Sequence, residues 1–157
     1  MVLMRLMNEI KDETKGFHFV DIGSGKGRVL FVAEYSGYNR LTGIELNEAL
    51  VEDAQNNLES YSHKRKESNI NFLQANALEF DYKNEKTVYF LFNPFNGEIL
   101  KKVLERIKEN TKSETWFVYM NPLYASVFEE CKIRQVKTIR SGFYKEAIIY
   151  KIDSQTK

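Results

Sequence analysis

The residues of this chain best placed to do chemistry stand in the run FHFVDIGSGKGR, Phe17 to Arg28, where Asp21 precedes Gly23, Gly25 and Gly27 at alternate positions. A short apolar strand, a glycine turn and a helix in that order bring backbone close to a ligand. Three ligand classes use the arrangement, and spacing separates them. A phosphate loop needs glycine, four residues and then Gly-Lys-Ser/Thr, whereas Lys26 follows Gly23 by three residues and is itself followed by Gly27. A dinucleotide turn needs Gly-x-Gly-x-x-Gly with the pyrophosphate on the helix N-terminus, and the spacing here is Gly-x-Gly-x-Gly. Asp21, two residues before the first glycine, would repel a pyrophosphate and attract an ammonium group. The methionine end of S-adenosylmethionine carries such a group, and the same field favours its sulfonium. A glycine turn that merely reverses the chain is the bland alternative.

Further groups follow at intervals that return them to the same sheet edge. Glu45, in GIELN, lies 22 residues after Gly23, the distance at which a βαβ unit brings a carboxylate to a ribose, with Leu46 beside it. The competing reading makes Glu45 a helix-entry carboxylate assisting Asn47 as cap. Asn76 and Ala77, in QANAL, follow the next strand; Asn76 either meets an adenine through its amide or caps the segment leading to Asp81. Asn93-Pro94-Phe95 ends the run TVYFLF. Proline lacks an N–H and biases Asn93 away from helix, so two carbonyls and the Asn93 amide can accept hydrogen bonds from an incoming amine while Phe95 forms an apolar wall. A plain strand-stop turn is the alternative there.

The elements that must position these groups read out in order. Leu3, Leu6, Met7 and Ile10 give one apolar face to an opening helix that ends near Lys15-Gly16 and packs on the sheet edge or lids the ligand. Strands are expected over Phe17–Ile22, Leu41–Ile44, Asn69–Leu73, Thr87–Phe92 and Thr115–Met120. Helices are expected over Val29–Tyr35, from Asn47 with Ala49, Leu50, Ala54 and Leu58 buried, over Gly97–Lys108, and over Leu123–Glu129 with Tyr124 near a pocket mouth. Lys132 to Ile139 and Ala147 to Ile152 form a hairpin about Ser141-Gly142, and Gly142, Phe143 and Tyr144 can rim a substrate site.

With 157 residues, 43% hydrophobic and 29% charged, the chain is expected to form one domain: a helix over 1–16, a cofactor-binding core over 17–120 and a helix with a hairpin over 121–157. The opening run MVLMRLM is too short and too polar for a signal peptide or a membrane span, which places the protein in the cytoplasm with no membrane partner. Cys131 is the single cysteine and the two histidines, His18 and His63, are far apart, so neither a disulfide nor a metal site is expected. The run SHKRKES around His63 reads as solvated linker. Residues 1–100 hold 11 Lys/Arg against 15 Asp/Glu (net −4) and residues 101–157 hold 12 against 7 (net +5), with the C-terminal basic charges interspersed among glutamates.

VDIGSGKGRVL, GIELN, QANAL and FNPF, placed in this order at four successive strand ends, resemble the class I S-adenosylmethionine-dependent methyltransferases over roughly residues 17 to 120. The resemblance implies an α/β, Rossmann-like three-layer sandwich with a mostly parallel seven-stranded sheet and an antiparallel last strand. It implies S-adenosyl-L-methionine as cofactor and S-adenosyl-L-homocysteine as product. Residue by residue, it makes Asp21, Gly23, Ser24 and Gly25 the methionine-side turn, Glu45 and Leu46 the ribose side, and Asn76 with Ala77 the adenine site. Asn93 and Pro94 become the catalytic motif, Asn93 also touching cofactor, with Phe95, Tyr124 and Phe143 toward substrate. The chain is further similar to small bacterial methyltransferases of unassigned substrate, and its turn to Dot1-like lysine methyltransferases. Amine-directed members often carry Asn-Pro-Pro-Tyr/Phe; the second proline is absent here. The acceptor, a protein, nucleic acid or small molecule, is left open, and a homodimer or a partner chain can complete the substrate site. A non-catalytic S-adenosylmethionine-binding module is the alternative function, and a nicotinamide-dependent oxidoreductase ranks behind both.

Overall fold

The computed structural model describes residues 2–61 and 67–155; His63 and its basic neighbours lie outside the described residues. Seven strands follow the order β3-β2-β1-β4-β5-β7-β6 in one mixed sheet flanked by helices, which is the Rossmann-like arrangement expected. Two compact units divide the chain, residues 1–77 and 78–157.

In the first unit, β1 (His18–Ile22), β2 (Arg40–Glu45) and β3 (Asn69–Gln74) run parallel, with Asp21 opposite Gly43, Ile22 opposite Ile44 and Glu45 opposite Gln74. β1 is buried at four of its five positions, and β3 alternates, as an edge strand does. His18, beside the buried Phe19, bonds Thr42 Oγ1 at 2.8 Å through Nε2. α1 (Val2–Ile10) stops earlier than expected and continues as turns, with the Thr14 N–H on the Ile10 carbonyl. Its Leu6, Met7 and Ile10 are buried, and it packs against α2 (Arg28–Ser36), so it is core and not a lid. α2 ends at Gly37, whose φ of 120° only glycine adopts freely.

α3 (Glu48–Ser60) starts at Asn47, whose side-chain oxygen accepts the Ala49 N–H at 3.0 Å. That cap fixes the helix phase so that Val51 and Ala54 are buried while Ala49 is exposed, a rotation from the expected Ala49–Leu50 face. The fully buried Glu34 accepts the Tyr61 hydroxyl and the Ser68 hydroxyl at 2.8 Å each, tying the end of α3 to the approach to β3.

In the second unit, β4 (Thr87–Phe92) and β5 (Thr115–Met120) are parallel with Phe92 opposite Met120, so the Asn-Pro pairs that follow each strand leave the sheet at one level. β6 (Arg134–Ser141) and β7 (Tyr144–Ile152) form the expected hairpin, and β7 runs antiparallel to both β5 and β6. α4 (Gly97–Asn110) is capped by Asn96, which accepts the Ile99 N–H at 2.9 Å, and buries Leu100, Val103, Leu104 and Ile107. α5 (Ala125–Glu130) begins two residues later than expected, because the Leu123 N–H closes a turn on the Asn121 carbonyl first.

The glycines of the turn differ in what holds them. At Gly27, φ is 89° and a Cβ would lie 2.4 Å from the Phe72 ring; at Gly25, φ is 51° and a Cβ would meet nothing within 4 Å. Gly27→Ala should therefore cost roughly 2 to 5 kcal/mol, from left-handed backbone plus overpacking. Gly25→Ala should cost only roughly 1 to 2 kcal/mol from backbone alone. Urea unfolding of the two variants checks the order; equal losses would contradict it.

Candidate active site

The first unit's groups converge at the carboxyl ends of β1, β2 and β3. Because Ile22 pairs with Ile44, the sheet ladder runs on into the glycine turn, and the Gly23 and Ser24 N–H groups both donate to the Ile44 carbonyl, at 2.8 and 3.0 Å. The Gly27 N–H donates to the Ser24 carbonyl at 2.9 Å. The Gly25 N–H donates to Glu45 Oε2 at 3.1 Å. A phosphate cradle needs such amides aimed at its ligand. Here these four are spent within the protein.

Glu45 is a junction. Its other carboxylate oxygen accepts the Asn47 N–H at 3.0 Å, and its carbonyl accepts the Ala75 N–H at 3.0 Å. The helix-entry role weighed for Glu45 is thus present, and the same carboxylate also reaches the turn. Asn76 is partly exposed and Ala77 buried just beyond, while Leu46 is exposed, its carbonyl accepting from Gln74 Nε2 at 3.4 Å. Ser24 is buried against Gly43, where a Cβ would stand 2.7 Å from the serine Oγ. Lys26, 65% exposed at its side chain, pairs with Asp53 at 3.0 Å, and its carbonyl accepts from Asn57 Nδ2 at 3.1 Å. α3 therefore fastens the turn from outside, a role for Asp53 and Asn57 that hydrophobic periodicity does not reveal.

Asp21 is 2% exposed. Burial, reinforced by the negative charge of Glu45, pushes its carboxyl up from the ordinary 3.8 to about 8. Without a ligand it is neutral at pH 7, and a cation brought to the turn would favour its ionised form. The donor set fits a cationic nucleoside.

In the second unit Asn93 has φ 43° and Asn121 φ 47°, so both strand-end asparagines are left-handed rather than extended as the following prolines suggest. Asparagine enters that region more readily than most residues, and here both side chains are held by partners distant in sequence. Asn93 Oδ1 accepts the Tyr119 hydroxyl at 2.9 Å, and Asn121 Oδ1 accepts the Tyr144 hydroxyl at 3.3 Å. Pro94 and Phe95 are partly exposed, the Tyr124 ring lies over Gly97, and Phe143 is fully exposed at the hairpin tip. Phe143 is not gathered with Asn93 and Tyr124. Tyr119 escaped the sequence reading as one of six residues in an apolar strand; the signal was a hydroxyl that, once buried, must find a partner.

A family model described as a methyltransferase domain matches residues 13–152. The chain belongs to the methyltransferase-domain family. The membership agrees with the class I S-adenosylmethionine-dependent resemblance read from the motifs, and residues 13–152 form a methyltransferase domain. Among solved structures, magnesium protoporphyrin IX methyltransferase from Synechocystis PCC 6803, with bound SAM, is similar over 98% of this chain and 78% of that one, at 12% identity and a TM-score of 0.72. A SAM-dependent methyltransferase from Aquifex aeolicus is similar over 93% of this chain and 89% of that one, at 17% identity and a TM-score of 0.68. A histone-lysine N-methyltransferase, H3 lysine-79 specific, from Dictyostelium discoideum is 30% identical over 116 residues, which is 67% of this chain and 6% of that protein's length. No helix among the described residues is long and apolar enough to cross a membrane.

The Asp21 shift sets a pH dependence. A folded pKa above the unfolded 3.8 makes the contribution to stability full below that value, and it is lost as pH rises to about 8. The loss runs at up to about 1.4 kcal/mol per pH unit. The ligand-free protein should therefore melt lower at pH 8 than at pH 5, and Asp21→Asn should flatten the curve and melt higher than wild type at pH 8. Parallel melting curves would contradict the assignment.

Proposed function

We propose that the chain transfers a methyl group from S-adenosylmethionine to an amine nitrogen, with Asp21, Gly23, Ser24 and Gly25 at the methionine end. Glu45 and Leu46 serve the ribose, Asn76 and Ala77 the adenine, and Asn93 and Pro94 the acceptor. The observation that carries the cofactor assignment is a turn whose amides are already spent, set above a buried carboxyl that a cation would ionise. Family membership supports methyl transfer, and the Asn-Pro turn after β4 supports nitrogen as the acceptor. The local likeness to a histone-lysine N-methyltransferase supports it further.

When bound, S-adenosylmethionine supplies an electrophilic methyl carbon on a positively charged sulfur. The chain's own residues orient and desolvate. Asp21, being buried, acts on the amino acid end through its field. Glu45 exchanges its bonds to the Gly25 and Asn47 amides for ribose hydroxyls, which makes the turn and the α3 entry responsive to binding. Asn93 Oδ1 and the Pro94 carbonyl accept N–H hydrogens of the acceptor amine, so that its lone pair is the group left for bond formation. Exposed Leu123, Phe143 and Tyr144 support an acceptor held partly outside the protein or a partner chain that completes its site.

Two measurements test the reading. If a cation ionises Asp21, cofactor affinity should rise with pH between about 6 and 7.5, by up to about one decade per pH unit, and binding should release a proton. Calorimetry in buffers of different ionisation enthalpy detects that release, and Asp21→Asn should abolish it. Glu45→Gln should weaken binding by roughly 1.5 to 3 kcal/mol, and unchanged affinity would contradict the ribose role. Tritiated methyl transfer into protein, nucleic-acid and small-molecule pools should label an amine-bearing fraction. Binding without label in any pool would favour the non-catalytic module.

A further inference from the structure

Residues 93, 119 and 124 hold a hydrogen-bond chain in which one proton order satisfies every group. The Tyr124 N–H lies 3.3 Å from the Tyr119 hydroxyl oxygen, and an amide N–H can only donate, so the hydroxyl accepts there. Its single proton is left for the Asn93 side chain at 2.9 Å. The Asn93 atom on that side is favoured as oxygen, because with the nitrogen there the hydroxyl would accept twice and its buried proton would lose its acceptor. A side-chain amide otherwise has two nearly equivalent flip states, and here the need to satisfy the buried Tyr119 hydroxyl favours one.

The surroundings favour a fixed relay. Tyr119 is fully buried on β5, and burial raises its hydroxyl above the usual tyrosine value, which keeps the proton on it. Asn93 is held at a φ of 43°. The Tyr124 ring is seated against Gly97, where a Cβ would stand 3.2 Å from Cδ1, so α4 supports the residue that starts the relay. In the strand TWFVYM a phenylalanine would fill the same space; the hydroxyl adds only these two bonds.

We propose that Tyr119 is a positioning residue for methyl transfer: it locks the Asn93 amide in one flip state, so that an acceptor nitrogen meets a preset oxygen lone pair instead of a rotor. The inference rests on the reading of Asn93 as the group that orients the acceptor. It requires nothing of Tyr119 toward the cofactor.

The test compares Tyr119→Phe, Asn93→Ala and the double variant with the wild-type chain. The readouts are S-adenosylmethionine calorimetry, the Asn93 side-chain amide resonances of 15N-labelled protein, and initial tritiated methyl transfer into lysate pools. Tyr119→Phe should bind S-adenosylmethionine within about twofold of wild type, because it keeps the Asn93 side chain and removes no group that the proposed function assigns to the cofactor. Its Asn93 amide resonances should move, and its transfer rate should fall about tenfold, the worth of about 1.4 kcal/mol. The double variant should be no slower than Asn93→Ala alone. Unchanged Asn93 resonances in Tyr119→Phe overturn the proposal whatever the activity. So does wild-type transfer by Tyr119→Phe beside a crippled Asn93→Ala, and that outcome leaves the acceptor role of Asn93 standing. Wild-type transfer by Asn93→Ala removes that role and the proposal with it.

Discussion

The Ile44 carbonyl accepts two amide protons, from Gly23 and Ser24, and the first unit's chemistry depends on that shared acceptor. It extends the β1–β2 ladder past the end of β1 and fixes where the chain turns. Because the turn is anchored to the neighbouring strand, its backbone is not available to an anion. Close packing follows from the same anchor. Ser24 and Phe72 both press toward Gly43, and Phe72 presses on Gly27, so the glycine pattern records steric contact as much as ligand approach.

Two carboxyl groups near one turn repel each other, and the structure relieves this unequally. Asp21 is buried and neutralised by its surroundings, whereas Glu45 keeps two backbone donors. A buried acid of this kind lowers stability at neutral pH relative to an apolar residue. Under the proposed function, a bound cation would remove that electrostatic deficit, and ribose hydroxyls would replace the hydrogen bonds of Glu45.

The strand order of side-chain types carried most of the fold. β4 and β5 match their expected residues because an apolar run between turn signals admits few boundaries. Helix faces were less legible. α3 presents Val51 because the Asn47 cap sets its phase, and periodicity alone does not weigh a cap against two neighbouring apolar residues. Backbone signs were not legible either: proline after Asn93 suggests extended backbone, whereas Asn93 is left-handed with its side chain bonded to Tyr119, 26 residues on. Tyr119 and Asp53 were invisible for another reason. Their partners are distant in sequence, and no local pattern encodes a bond that only the folded register creates.

β7 follows β6 along the chain yet lies between β5 and β6 in the sheet. During synthesis, β5 and β6 are both complete before the strand that pairs with each of them has left the ribosome. Until then β5 keeps an open edge on that side, and β6 has no partner in the second unit. The exposed edge is apolar, Trp116 to Met120, which is the composition that invites pairing with foreign strands. Residues 144–152 pair with β5 on one side and β6 on the other, so this one strand covers both edges.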